Sequence, residues 1–160
     1  GIFALSTRLS LIYMILLSGF NIYITPNISE KINQKKFKNI ILKSVLFFSL
    51  LGCLIFIFNL FFSKYLEFIW DEFKNYSHIY VIILAGYLVN LSTGSAGVIL
   101  NHIGLENKHL KVNLISLSLL LFSFIVTYFS KSLLFFSISV SLIVATENIL
   151  KFKYIKPSLT

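Results

Sequence analysis

Five stretches of this sequence, residues 2–24, 40–62, 78–100, 110–129 and 133–150, are almost continuously apolar. A helix needs about 20 such residues to cross the hydrocarbon of a bilayer. Within hydrocarbon every backbone amide must be paired internally, which leaves helices or a closed barrel. Barrel strands alternate apolar and polar residues over short segments, and these blocks do not alternate. The sequence therefore predicts an all-α, polytopic transmembrane bundle of five helices spread over residues 1–160. Composition agrees, with 57% of residues hydrophobic and only 12% charged, a balance foreign to soluble domains.

The formal net charge of +8 is placed between the blocks rather than over a surface. Lys31, Lys35, Lys36 and Lys38 follow the first block, with Lys43 just inside the second. Lys108 and Lys111 follow the third, and Lys151, Lys153 and Lys156 follow the fifth. The other side holds Lys64, Lys74 and Lys131, so ten lysines face three. Lysine-rich connections stay in the cytoplasm, which puts the C-terminus inside and Gly1 outside. Lysines at these positions oppose membrane lipid phosphates, and nucleic-acid binding is not expected. Cys53, the single cysteine, lies in an apolar block and reads as a small buried hydrophobe. The first residue is Gly1 and the one methionine is Met14, so the chain is expected to start within a longer protein.

The second connection, SKYLEFIWDEFKNYSH, is acidic and aromatic, as expected of rings at headgroup level. Its neighbours Asp71 and Glu72 do not face one another on a helix, and are read as solvated charges rather than an acid–base pair. Pro26 and Pro157 are placed beyond helix ends, where proline is accommodated.

The most particular stretch is GYLVNLSTGSAGVILNHIG, residues 86–104. At 100° per residue, Gly86, Asn90, Thr93, Gly94, Gly97, Asn101 and Gly104 fall in one narrow sector of a helix. A seam of small and hydrogen-bonding residues with an apolar back turns toward protein or water, not lipid. Weaker seams follow: Asn113, Ser116, Ser123 and Thr127 in the fourth helix; Ser137, Ser141, Ala145 and Asn148 in the fifth; Ser49, Gly52 and Asn59 in the second. Close helix packing is the plainer reading of each, a shared polar cavity the sharper one.

Arg8 is the one basic residue well inside a block. A buried membrane charge is costly, so Arg8 is read either as a site for a substrate anion or as a snorkelled or ion-paired structural group. The first helix has small or polar residues on two sides, Ala4 and Gly19 with Arg8 and Ser6, Ser10 and Asn21 opposite, as for a helix surrounded by protein. Glu147 stands four residues before Lys151, the spacing of a stabilising helical pair, with ion or proton coupling as its second reading. His78, His102 and His109 lie at helix ends without metal-binding spacing. No nucleophile–base pair or phosphate-cradling loop is evident, and neither catalysis nor a cofactor is expected.

Over residues 86–108 the pattern of Gly86, Asn90, Gly94, Gly97, Leu100, Asn101, Gly104 and Lys108 resembles the bacterial polysaccharide-export flippases. These are the O-antigen and lipid-linked oligosaccharide translocases of the multidrug/oligosaccharidyl-lipid/polysaccharide exporter superfamily. GIFALSTRLS followed by TPNISE looks like that family's eighth helix and the loop after it, and FIWDEFKNYS like the outer loop before the tenth. Ser95 stands where many members have proline, so the likeness alone does not imply a bent helix here.

The resemblance implies a C-terminal lobe from a twelve-helix, two-lobed exporter of the bacterial inner membrane, with the N-terminal lobe missing. Its substrate would be an oligosaccharide on polyprenyl pyrophosphate, bound for lipopolysaccharide or capsule and flipped outward by alternating access. Arg8 would be a cationic group for pyrophosphate, and Asn90, Thr93 and Asn101 would line the sugar cavity. Gly86, Gly94, Gly97 and Gly104 would serve the family motif and helix packing. The competing readings are a multidrug or small-solute antiporter, which wants a carboxylate deep in the membrane, and a polymerase or non-transporting subunit of the polysaccharide pathway.

Overall fold

In the computed structural model the described residues are 2–29, 34–74 and 76–155. Gly1, Lys31, Lys156 and Pro157 lie outside them, as do the side chains of Lys35, Lys36 and Glu72. The described chain is all helix, without a strand. In order it forms α1 (Ile2–Ser29), α2 (Gln34–Ile69), α3 (Ser77–Ser92), α4 (Ala96–His102), α5 (Glu106–Ser130) and α6 (Leu133–Ile155). Five spans are long and apolar enough to cross a membrane, α3 and α4 together making one of them.

α3 is the central helix. It packs against α1, α2 and α6, while α5 is held on the outside of α6. Half of the apolar window of the α3–α4 span is buried, against 22% or less in every other span. The outer helices instead turn Phe58, Phe61, Phe122 and Phe124 outward, as lipid-facing surfaces do. Two apolar clusters stack along the bundle. Tyr13, Leu17, Phe48, Tyr80, Leu84 and Leu91 join α1, α2 and α3. Ile24, Ile41, Ala96, Ile99, Leu100 and Ile155 close the end where the lysine-rich connections lie.

Because lipid tails are as apolar as leucine, hydrophobicity alone does not draw these helices together; close packing must. Gly86 shows how. A Cβ placed on it would meet Ser141 Oγ at 2.7 Å and the Ser141 Cα at 2.8 Å, so α3 and α6 touch backbone to backbone there. At Gly52 of α2 the neighbour is a side chain instead, and a Cβ would meet Leu88 Cδ1 at 2.7 Å. Tyr13 donates to the Gly52 carbonyl at 3.3 Å, and the Tyr80 hydroxyl donates to Asn59 Oδ1. The seams of α5 and α6 are packing surfaces. Ser116, Ser123, Ser137 and Asn148 are buried, and Ser137, Thr127 and Asn148 bond carbonyls of their own helices.

Four expectations are corrected. The third span is not one helix over 78–100: it breaks at Thr93–Ser95, where Gly94 adopts a left-handed φ of +64°. Pro26 is inside α1, which runs on to Ser29, and its ring supplies no N–H to the helix ladder there. α2 continues to Ile69, so the second connection shrinks to Trp70–Tyr76. There Asp71 pairs with Lys74 at 2.6 Å in full exposure, which holds the Asp71 carboxyl below its ordinary range. Lastly, the other described helices do not enclose α1: Ala4, Arg8 and Gly19 are exposed, and Gly19 has nothing within 4 Å of a built Cβ.

The two glycines predict opposite responses to one methyl group. Gly86→Ala should wedge α3 from α6 and cost about 1–3 kcal/mol. Gly19→Ala should be neutral or stabilise by up to about 1 kcal/mol, the helix preference of alanine over glycine. Thermal unfolding of the purified variants in one detergent reads both; equal melting temperatures would contradict the backbone contact.

A polar cleft at the break in the central span

The break is written in the residues Ser92-Thr93-Gly94-Ser95. Ser92 Oγ donates to the Leu88 carbonyl at 2.8 Å and Thr93 Oγ1 to the Asn90 carbonyl at 2.9 Å, hydroxyl bonds that loosen a helix end. The Gly94 N–H turns back to the Leu91 carbonyl at 3.0 Å, and the left-handed residue then releases the chain. Ser95 restarts it, its carbonyl accepting Ile99 N–H at 2.9 Å. One short helix later Gly104, at φ +76°, ends α4 with the bond from Leu105 N–H to the Leu100 carbonyl at 2.9 Å. That bond, six residues back to one, marks a Schellman cap.

The offset between α3 and α4 opens a cleft of about 280 Å³ toward the lysine-rich end. α1 contributes Met14, Leu17 and Asn21, α3 contributes Asn90, and the break supplies Gly94 and Ser95. Gly97, Val98 and Asn101 come from α4, His109 from α5, and Glu147, Asn148 and Lys151 from α6. Four amides, one hydroxyl, one imidazole and one ion pair therefore converge from every α-helix but α2 in a largely apolar bundle.

Gly97 makes room for the imidazole. A Cβ there would lie 3.0 Å from His109 Nε2, so the ring rests directly on the α4 backbone. Its Nδ1 is 2.7 Å from Asn101 Oδ1, and an amide oxygen only accepts, so Nδ1 carries the proton. In its neutral form a ring with the proton so placed offers Nε2 as an acceptor. Asn90 Nδ2 points at Met14 Sδ, 3.2 Å away, a weak acceptor easily exchanged for a better one. Asn21 Oδ1 and the deeply buried Ser95 Oγ have no hydrogen-bond partner among the described residues.

Lys151 is buried although charged, and its Nζ is paired with Glu147 one turn earlier. Pair and imidazole are close enough to interact electrostatically. Beyond the cleft, Lys108 Nζ lies 5.1 Å from the Tyr154 ring centroid and ties the start of α5 to the end of α6.

Of the expected site residues, the cleft gathers Asn90, Asn101, Gly94, Gly97 and Glu147. Thr93 is beside it with its hydroxyl turned to its own helix, Gly86 is spent on the α6 contact, and Gly104 on the cap. Arg8 is exposed about two turns into α1 and does not line the cleft. Lys151, His109, Asn21 and Ser95 are cleft residues that the sequence reading did not single out for it. The signal for Lys151 was its i, i+4 partner Glu147, which shows that α6 runs on past Leu150. His109 Nδ1 engages an amide rather than a hydroxyl, so these residues form no nucleophile–base contact. Among the described residues no three His, Cys, Asp or Glu side chains are grouped to hold a metal. The arrangement suits recognition of hydroxyls and of a charged group.

No family model, curated protein or solved structure matches this chain.

The ion pair carries a stability prediction. The Lys151 and Glu147 side chains are 9% and 25% exposed, so removing one partner strands a charge in a poorly hydrated place. Glu147→Gln should cost about 2–3 kcal/mol, below the ~3–5 of a wholly buried pair. The double variant Glu147→Gln/Lys151→Met should recover most of it, as read by thermal unfolding in detergent. A double variant less stable than Glu147→Gln would show that the lysine is held by something other than the carboxylate.

Proposed function

We propose that this chain belongs to a membrane exporter that flips polyprenyl-pyrophosphate-linked oligosaccharide across the bacterial cytoplasmic membrane. The observation that carries the reading is the cleft. A polar pocket in a hydrocarbon setting, walled by an interrupted helix, is how transporters present sites to polar cargo. Amides at Asn21, Asn90, Asn101 and Asn148 suit sugar hydroxyls, and Lys151 suits a phosphate oxygen. At about 280 Å³ the cleft is at the low end of ligand sites, fit for one ring of a glycan rather than the whole. In this reading the rest of the substrate path belongs to the other lobe of the exporter.

The likeness of residues 86–108 to the oligosaccharide flippases supplies the substrate class. The ten-to-three lysine asymmetry supports a cytoplasmic position for the cleft's end of the bundle and the C-terminus, the side on which the lipid-linked unit would be made. Alternating access would then rock the two lobes about the cleft. Asn90 and Asn101 hold sugar, Gly86 holds α6, and Gly94 and Gly97 shape the pocket. The multidrug-antiporter reading gains one observation, since Glu147 puts a carboxylate in the cleft.

Deleting the gene should strand lipid-linked oligosaccharide in the inner leaflet. Lectin labelling of spheroplasts measures this, and full outward delivery with no second exporter present would refute the flippase. Asn90→Ala and Asn101→Ala should each slow export roughly tenfold at unchanged protein level, the effect of about 1.4 kcal/mol of lost polar contact. Export of a cationic drug that competes with no lipid-linked glycan would turn the assignment to the antiporter.

A further inference from the structure

The Glu147–Lys151 pair has a chemistry of its own. Both side chains leave the same face of α6, one turn apart, into a cleft with a single cation. Among the groups lining that cleft the titratable ones are Glu147, Lys151 and, from α5, His109; α1, α3 and α4 contribute none. Elsewhere on the packed elements, His102 of α4 and Glu106, Lys108 and Lys111 of α5 are exposed and do not line it. Lys108 is in addition placed over Tyr154. On α6 itself Lys153 is exposed.

A phosphate-type anion entering this cleft has one ammonium to bind, and Glu147 already holds it. If the anion takes Lys151 while the carboxylate stays ionised, two negative groups share one cation in a low-dielectric place, a costly arrangement. Protonating Glu147 removes the conflict. The carboxyl is then neutral, and its O–H can donate to the anion or to a cleft amide. Glu147 is the more exposed partner, 25% against 9%, so water can deliver the proton to it.

We infer that the Glu147–Lys151 pair is a proton-linked anion site: a phosphate or pyrophosphate group displaces the carboxylate from Lys151, and one proton from solvent settles on Glu147 Oε. Anion and proton enter together and leave together, and by reciprocity each raises the affinity of the site for the other. The inference rests on the proposed export function only for the origin of the anion. The linkage itself needs just the cleft.

The test is calorimetric titration of the full protein in nanodiscs with inorganic pyrophosphate, in two buffers of different ionisation enthalpy. The expected result is uptake of about one proton per anion and affinity that falls as pH rises, approaching about tenfold per pH unit. Glu147→Gln should bind with no proton uptake and a flat pH profile. Lys151→Gln should lose roughly tenfold or more in affinity, and Lys151→Arg should keep it.

Binding with no proton uptake by the unmodified protein overturns the linkage and leaves the export reading intact. Uptake that persists in Glu147→Gln also overturns it, by passing the proton to His109. A farnesyl pyrophosphate that binds tighter than inorganic pyrophosphate identifies a lipid-borne anion; equal affinity identifies a soluble one. Both results support the site. No binding of either probe at acidic pH overturns it, whatever the deletion strain does with its lipid-linked oligosaccharide.

Discussion

In hydrocarbon a backbone amide that leaves its helix has no water to turn to, and most of this fold follows from how one such departure is managed. The central span stops at Gly94 and restarts at Ser95. Gly94 N–H returns to Leu91, Ser95 carbonyl takes Ile99, and the surrounding helices cover the rest. α3 and α4 between them pack against all four other α-helices, α3 on α1, α2 and α6 and α4 on α1, α5 and α6. The cleft is the by-product of the same event, because two helix segments out of line cannot fill the space that one straight helix would.

How well the sequence foretold this depends on which physics each feature uses. Apolar length is a one-dimensional property, so all five spans could be read directly. Their ends could not, since hydropathy falls off where α2 still runs on through Lys64 and Glu67 to Ile69. The break could not either: the 100° projection assumes a continuous helix. It nonetheless brought Asn90, Gly94, Gly97 and Asn101 together, because the break turns the chain without carrying these residues off the cleft side. It failed for Gly86 and Thr93, which the tertiary contact with Ser141 and a local hydroxyl bond claim instead.

Lys151 shows a different limit. Lysine counts as topological punctuation when it flanks an apolar block, and that use hid its burial. What keeps it inside is a carboxylate one turn away. Its burial also depends on how α6 packs against its neighbours, a long-range matter that no window of sequence records. His109 is similar: only the absence of a side chain at Gly97, twelve residues earlier in the chain, lets the ring lie where it does.

The two left-handed glycines are not equal joints. Across Gly104 the chain is fastened by His109, which lies on Gly97 and bonds Asn101, while Lys108 over Tyr154 ties the start of α5 to the end of α6. α4 and the first turn of α5 consequently behave as one corner piece, leaning on the end of α6. Among the described residues no side-chain hydrogen bond within the central span crosses Gly94; α1 and α6, which pack on both α3 and α4, bridge it instead. α3, by contrast, is fixed to α6 at Gly86. A change of angle at Gly94 would widen or narrow the gap between Asn90 on one side and Asn101 on the other.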